Sequence, residues 1–330
     1  IDEIKDISKD NALVYVPCHR SHIDYCALTF ILYENGLMLP QVAAGNNLNL
    51  PIIGTILRGA GAVFMRRSFM KNTLYSAVFF EYLRSLMIRG SSIEFFLEGG
   101  RSRTGLSLPS RPGLLSLVLR SFASLKEQKV KIVPIYIGYE KILEGQSYLS
   151  ELSGSQKKRE SLLDPFKVLK DFNDYLGNAY LNFGKPLDLE EFLQENVSED
   201  YHIESPLDKP DWLKPTTSLL GDEIVRSINN SVAVSSTSLF AISLLTDPTQ
   251  ALNKETLKAR ISFYLTLLSE SDSYKDVWVT EKDPGEIIDR SERLKFIKHQ
   301  LIGSDEVYRP SPKEVATLSF YKNNISHLFM

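Results

Sequence analysis

The chain is 330 residues long, with 43% hydrophobic and 24% charged residues and a formal net charge of −3. These proportions exclude a disordered, fibrous or disulfide-stapled protein and leave room for one large or two modest domains. No apolar run approaches the roughly eighteen residues a bilayer-spanning helix needs.

Cys18 and Cys26 lack metal or redox-pair spacing, which favours a reducing compartment over secretion. The chain starts at Ile1 with neither methionine nor leader, so a fragment of a longer protein is expected. Between residues 40 and 120 the net charge is +7, whereas the remainder carries −10. A basic span of this size points to an anionic ligand or surface. Its arginines are scattered among apolar runs without interleaved aromatics, so nucleic acid is not an expected partner.

The first strand-like run, Leu13–Val16, breaks at Pro17 and leads through Cys18 into His19, with Asp24 five residues on. Residues five apart on one helix diverge by about 140°, because each residue turns the helix by roughly 100°. His19 and Asp24 therefore meet only if the histidine sits in the turn before a helix and the aspartate in its first turn. That is where open α/β proteins carry their chemistry, between a strand's carboxyl end and a helix's amino end. The same residues also read as a capping box, Ser21-x-x-Asp24, with the acid favoured by the helix dipole. His22 reads as a third polar group nearby. A His19/His22/Asp24 metal site is the minor reading, because no further histidine completes it.

A helix over Leu28–Tyr33 follows, then a strand over Ala60–Met65 that empties into Arg66-Arg67. Paired arginines after a strand form either a solvated edge or, through their planar forks, a phosphate site. After a helix over Thr73–Arg89, the strand Ser92–Leu97 runs into Glu98-Gly99-Gly100-Arg101-Ser102-Arg103-Thr104-Gly105. Two glycines permit close backbone approach and polar donors follow, so this is read as an anion-binding loop. It lacks the Gly-Lys-Ser/Thr of a Walker loop. A helix over Leu114–Leu125 precedes the strand Ile132–Tyr136, in which Pro134 marks a strand start or bulge, or the wall of an apolar ligand site. A polar loop over 153–160 and a fifth strand, Tyr180–Phe183, complete this part.

The alternation predicts an α/β sheet covered on both faces. Acidic residues with Pro206, Pro210 and Pro215 mark a boundary. Beyond it helices are expected over Ser218–Leu245, Lys254–Glu270, Pro284–Leu301 and Pro312–Phe329. The expected organisation is an α/β catalytic domain over 1–200, a linker over 201–216 and a helical region over 217–330, with no internal repeat.

Taken in order, four segments resemble the four blocks of the glycerolipid acyltransferases: His19-x4-Asp24, Met65-Arg66-Arg67, Phe96-Leu97-Glu98-Gly99-Gly100-Arg101-Ser102-Arg103 and Val133-Pro134-Ile135-Tyr136. The wording His19-Arg20-Ser21-His22-Ile23-Asp24-Tyr25 and Glu98 to Gly105 is similar to the bacterial membrane-associated glycerol-3-phosphate 1-O-acyltransferases. Likeness continues through Ala43–Asn49, Tyr180–Pro186 and Tyr321–His327, so it covers nearly the whole chain. The Ala233–Ser238 stretch departs from the Asn-Pro expected there. Full members are longer at the amino end, which makes this chain a truncated one by resemblance.

The resemblance implies a mixed α/β sheet flanked by helices, followed by a mostly helical C-terminal region. It implies transfer of a long acyl group from acyl-CoA or acyl carrier protein to the 1-hydroxyl of sn-glycerol 3-phosphate, giving lysophosphatidate. His19 would be the general base and Asp24 would fix its tautomer, with the acceptor's own hydroxyl in place of a serine. No Gly-x-Ser-x-Gly elbow is present, in keeping with direct transfer. Arg67 and Arg101 match acceptor-binding positions, with Arg66, Ser102 and Arg103 as neighbours. Glu98 would bind the acceptor's free hydroxyl or hold an arginine, Gly99 would let the backbone come close, and Pro134 lies on the acyl-donor side. Backbone N–H groups at the helix start after His19 are the expected oxyanion donors. No metal and no cofactor are expected.

A lysophosphatidate product calls for a membrane surface as partner. Peripheral attachment at the cytoplasmic face of the inner membrane is expected, through apolar surface and the basic region. Leu48–Met65 is the candidate contact; its alternative is an ordinary buried helix and strand. Competing functional readings are an acyltransferase for dihydroxyacetone phosphate or lysophosphatidate, a non-catalytic phospholigand- or acyl-carrier-binding module, and a metal-dependent hydrolase using His19, His22 and Asp24.

Overall fold

The computed structural model describes residues 1–49, 51, 53–66, 72–145, 147–148, 175–198, 200–270, 274 and 277–330. The chain opens with α1 (Asp2–Ile7) and β1 (Ala12–Pro17), followed by α2 (Asp24–Glu34), β2 (Gln41–Gly45), α3 (Ile53–Gly59) and β3 (Ala62–Met65). Then come α4 (Thr73–Ile88), β4 (Ile93–Glu94), α5 (Pro112–Ala123) and β5 (Val130–Tyr139). Two further strands, β6 (Ala179–Phe183) and β7 (Leu187–Asp188), run back against β5.

These strands form one sheet in the order β3-β2-β4-β1-β5-β6, with β7 also on β5. The first five run parallel and the last two are antiparallel to β5, so the sheet is mixed, as expected. Central parallel strands are covered on both faces, and β1 is buried at all six positions. The chain moves outward from β1 to β2 and β3, returns to β4, then crosses β1 to reach β5. The carboxyl ends of β1 and β4 therefore open side by side at the reversal of strand order, the place where such sheets hold ligands.

One strand was not expected and another is shorter than expected. Gln41–Gly45 forms β2 although Ala-Ala-Gly is a poor strand former; pairing with β3 and β4 on both sides overrides local preference. The strand expected over Ser92–Leu97 is confined to Ile93–Glu94, because the Leu97 carbonyl is taken by the Arg111 N–H at 2.9 Å rather than by a neighbouring strand. Pro134 lies in mid-strand and buried, paired with Val16. Its missing N–H falls between β6 and β7, where the partner segment carries one extra residue between the Ile135–Phe183 and Ile132–Leu187 pairs.

The remaining elements are α6 (Leu189–Asn196), α7 (Leu213–Asn230), β8 (Ala233–Val234), α8 (Ser236–Leu245), β9 (Leu252–Asn253) and α9 (Lys254–Glu270). They continue with β10 (Trp278–Val279), α10 (Pro284–Arg293), β11 (Gln300–Ile302), β12 (Asp305–Tyr308) and α11 (Pro312–Ile325). The single helix expected over Ser218–Leu245 is two, α7 and α8. The intervening Ala233–Val234 pairs in parallel with β10, and the Ser235 side chain caps α8 by accepting the Ser238 N–H. The helix expected over Pro284–Leu301 stops at Arg293; Lys295 takes φ 60° and Gln300–Ile302 joins a hairpin with β12.

The helical part is not set apart from the sheet. Helix α7 packs on α5 and β5, and α8, buried at all ten positions, is covered by α10 and α11. Residues 201–216 run along α5, where the Ile203 N–H donates to the Ala123 carbonyl at 3.1 Å and the Arg120 guanidinium bonds the Pro206 carbonyl. The polar loop expected over 153–160 lies outside the described residues.

Candidate active site

His19 stands in the turn between β1 and α2, and Asp24 is the first residue of α2, the arrangement the five-residue spacing requires. Nδ1 of His19 lies 2.9 Å from Oδ2 of Asp24, a side chain with no exposed surface. A carboxylate in this position only accepts, so Nδ1 carries the proton and Nε2 is the basic nitrogen. The imidazole is 18% exposed and stacks on Phe96, ring centres 4.0 Å apart.

Asp24 is held from every side. Oδ2 also accepts the N–H groups of Arg20 at 2.7 Å and Ser21 at 2.9 Å, and Oδ1 accepts the Tyr139 hydroxyl at 2.6 Å. Burial, with the neighbouring Asp24 charge behind it, raises the Tyr139 pKa far above the ordinary phenol value, so Tyr139 remains a donor. The capping and catalytic readings thus converge on one carboxylate. Ser21 is not a side-chain cap: its hydroxyl donates to Glu144, with oxygens at 2.9 and 3.0 Å. The His22 N–H also goes to Glu144, at 2.7 Å. The N–H groups of Arg20, Ser21 and His22 are therefore committed within the protein. The expected oxyanion donors at this helix start are corrected accordingly.

The loop after β4 folds over the turn. Glu98, nearly buried, accepts the His19 N–H at 3.1 Å through Oε1 and the Leu108 N–H at 3.2 Å through Oε2. It braces the His19 turn and the loop together, a contact absent from both roles read for it in the sequence. Burial raises its pKa, against the pull of Arg20. Gly99 has φ +63°, a conformation that side-chain-bearing residues rarely adopt, and this reverses the chain. The Ser102 N–H donates to the His19 carbonyl at 2.9 Å, and its hydroxyl accepts the Gly105 N–H at 3.1 Å. Arg101 Nη1 lies 3.2 Å from the Tyr148 hydroxyl and 3.6 Å from Glu144. Arg103 lies over the same Tyr148 ring.

His19, Asp24, Glu98, Gly99, Arg101, Ser102 and Arg103 are thus brought together, with Pro134 on the strand beside β1. Arg66 is not brought together with them. It follows β3, three strand spacings or about 14 Å from β1, and its guanidinium lies over Tyr75 of α4. Arg67 lies outside the described residues.

Sequence reading missed Tyr139, Glu144 and Tyr148, which have no motif spacing to His19, and the links to the helical part. Buried Arg20 donates to the Leu106 carbonyl at 3.1 Å and to Ser107 Oγ at 3.4 Å. Ser107 donates to Asn229 of α7 at 2.6 Å, and His327 Nε2 donates to the Asn229 carbonyl at 2.9 Å. Burial lowers the His327 pKa, against the pull of that bond. Cys18, whose thiol burial pushes up to about 12, is no nucleophile. Among the described residues no group of three His, Cys, Asp or Glu side chains is placed to hold a metal ion.

Comparison with known proteins identifies the family. The acyltransferase family model matches residues 1–138, and the model of the glycerol-3-phosphate acyltransferase C-terminal region matches 148–330, more than half of the chain. A glycerol-3-phosphate acyltransferase of Pseudomonas paraeruginosa is 41% identical over 331 residues, covering 100% of this chain and 40% of that protein. One from Pseudomonas putida is 40% identical over 332 residues with the same coverage. The chain thus spans about 40% of the length of the curated relatives it matches. The solved 1-acyl-sn-glycerophosphate acyltransferase PlsC of Thermotoga maritima is 16% identical, with a TM-score of 0.32 over 65% of this chain and 66% of that one, too distant to carry an argument. The chain belongs to the glycerol-3-phosphate acyltransferase family.

Proposed function

We propose that this chain carries the centre that transfers a long acyl group from a thioester, acyl-CoA or acyl carrier protein, to the 1-hydroxyl of sn-glycerol 3-phosphate. The observation behind this is the partly exposed imidazole of His19, anchored through Nδ1 on a buried carboxylate beside the Arg101–Arg103 loop. An alcohol is a weak nucleophile near pH 7 and needs a positioned base. Nε2 of His19 takes the hydroxyl proton as the oxygen attacks the thioester carbonyl. The C–S bond then breaks, the ester remains, and the departing thiolate receives the proton from the imidazolium. Asp24 holds the ring through both protonation states. Arg101, with Arg103 and Ser102 beside it, recognises the acceptor phosphate; Arg67 keeps the role that the family resemblance gives it, and Arg66, which lies over Tyr75 away from these residues, is left out of it.

The test is thioester consumption with palmitoyl-CoA in lipid or detergent micelles, with and without sn-glycerol 3-phosphate, for the wild type and His19→Ala. Acceptor-dependent CoA release that drops by about 10²–10⁴ in the variant is expected. Release that persists undiminished in His19→Ala removes the base from the mechanism.

The lysophosphatidate product requires a lipid surface, and peripheral attachment to the cytoplasmic face of the inner membrane belongs to the same proposal. Among the described residues no helix is long and apolar enough to cross a membrane. Helix α2 supports surface contact. It is uncharged from Tyr25 to Tyr33, yet exposes Cys26, Phe30 (60%) and Tyr33 (68%) at positions i, i+4 and i+7. In the Leu48–Met65 segment, Ile56 and Arg58 are also exposed, while residues 50 and 52 lie outside the described residues.

A further inference from the structure

The stretch 139–148 joins parts of the site that are far apart in sequence. Tyr139 holds Asp24. Glu144 follows, and Tyr148 stands one helical turn beyond it, its N–H on the Glu144 carbonyl at 2.9 Å. The Glu144 carboxylate, 8% exposed, accepts the Ser21 hydroxyl and the His22 N–H, and Arg101 Nη1 lies 3.6 Å from Oε1. The Tyr148 hydroxyl donates to the Arg20 carbonyl at 2.8 Å and accepts from Arg101 Nη1 at 3.2 Å. Burial and the Glu144 charge keep that phenol protonated for the first of these bonds. One carboxylate therefore touches both the turn that carries His19 and an arginine of the loop after β4. Glu144 belongs to none of the four sequence blocks, and residues 139–147 fall between the matches of the two family models.

We infer that Glu144 is a positioning residue for acceptor recognition, holding Arg101 at a set distance from the His19–Asp24 pair, with the Tyr148 hydroxyl as the second hold. The inference rests on the reading of Arg101 as a contact to the phosphate of glycerol 3-phosphate. A loose arginine loses rotamer freedom when it closes on a phosphate; held by Glu144 and Tyr148, Arg101 has lost that freedom on folding instead. The carboxylate also stands opposite the buried end of the guanidinium, so that a charged side chain is tolerated with little exposure. Because Glu144 takes the Ser21 and His22 donors as well, a shift of Arg101 and a shift of the base are coupled through one group.

The experiment is steady-state kinetics on the full-length protein, varying glycerol 3-phosphate and palmitoyl-CoA separately, for the wild type, Glu144→Gln and Glu144→Ala, with a thermal melt of each. Glu144→Gln keeps an acceptor for the turn but loses the charge facing Arg101. It is expected to raise KM for glycerol 3-phosphate about tenfold, leaving KM for palmitoyl-CoA and the pH profile of kcat unchanged. Glu144→Ala also frees the turn, and kcat is expected to fall by about a hundredfold. An unchanged KM for glycerol 3-phosphate in Glu144→Gln overturns the inference. So does a rise in both KM values that simply follows a loss of melting temperature. A wild type without acceptor-dependent release overturns the functional reading itself, an outcome distinct from a failure confined to the variants.

Discussion

The Tyr139 hydroxyl donates to Asp24 Oδ1 at 2.6 Å, on the carboxylate oxygen opposite the one that binds His19. The two residues are 115 apart in the chain, and their bond fixes the rotation of the carboxylate and, through it, of the imidazole. Tyr139→Phe removes one donor from a fully buried acid. Stability is expected to fall by about 1–3 kcal/mol, the cost of an unsatisfied buried acceptor. Acceptor-dependent turnover should fall about tenfold while His19 is retained. Thermal melts and kcat check this; an unaltered kcat would show that the other three donors hold Asp24 alone.

Glu94 is buried in the sheet between β1 and β2, and neither carboxyl oxygen has a hydrogen-bond partner among the described residues. Burial, with the Asp24 charge adding to it, pushes its pKa up to about 8 from an ordinary 4.5. The folded protein therefore keeps a proton that the unfolded chain sheds above its own pKa. This contribution to stability is present at acid pH and lost as pH rises from about 4.5 through 8, a few kcal/mol in all. Glu94→Gln should melt close to the wild type near pH 5 and above it near pH 9. Parallel losses in both proteins would refute the assignment.

Gly105 has φ +85°, and a Cβ there would stand 2.0 Å from the carbonyl oxygen of Phe320 in α11. Backbone strain and a clash with main chain that cannot step aside act together. Gly105→Ala is expected to cost at least about 1–3 kcal/mol. Gly100→Ala, with nothing within 4 Å of its Cβ position, should leave the melt nearly unchanged. Equal melting of the two variants would contradict the close seat of α11 on this loop.

For the lipid-facing reading, Phe30→Glu is the informative change, since Phe30 is exposed within the uncharged stretch Tyr25–Tyr33 of α2. It should weaken co-sedimentation with anionic phospholipid vesicles by about tenfold, because it removes buried apolar area and adds a repelled charge. Unfolding should be unaffected at this exposed site. Retained vesicle binding would move the contact away from α2.

Much of the site was legible because its chemistry is local. The break at Pro17 and the five-residue spacing require His19 to sit before a helix and Asp24 to start it, since helix geometry allows no other meeting. The Gly99–Gly100 pair after an apolar run likewise marked the loop that carries Arg101 and Ser102. The apolar run Leu13–Val16 read as a strand from its composition alone, and it lies within β1.

Other features depend on neighbours that no spacing rule supplies. Strand β2 exists because β3 and β4 flank it, not because Ala-Ala-Gly favours extension. Tyr139, Glu144 and Tyr148 reach the turn only because β5 lies beside β1 and delivers its carboxyl end to the same edge. The N–H groups that looked free at the start of α2 were claimed by Asp24 and by a glutamate 122 residues from His22. Periodicity and turn chemistry act over a few residues and are written in the chain, whereas burial and pairing across the sheet follow from which strands become neighbours, and only the tertiary structure decided that.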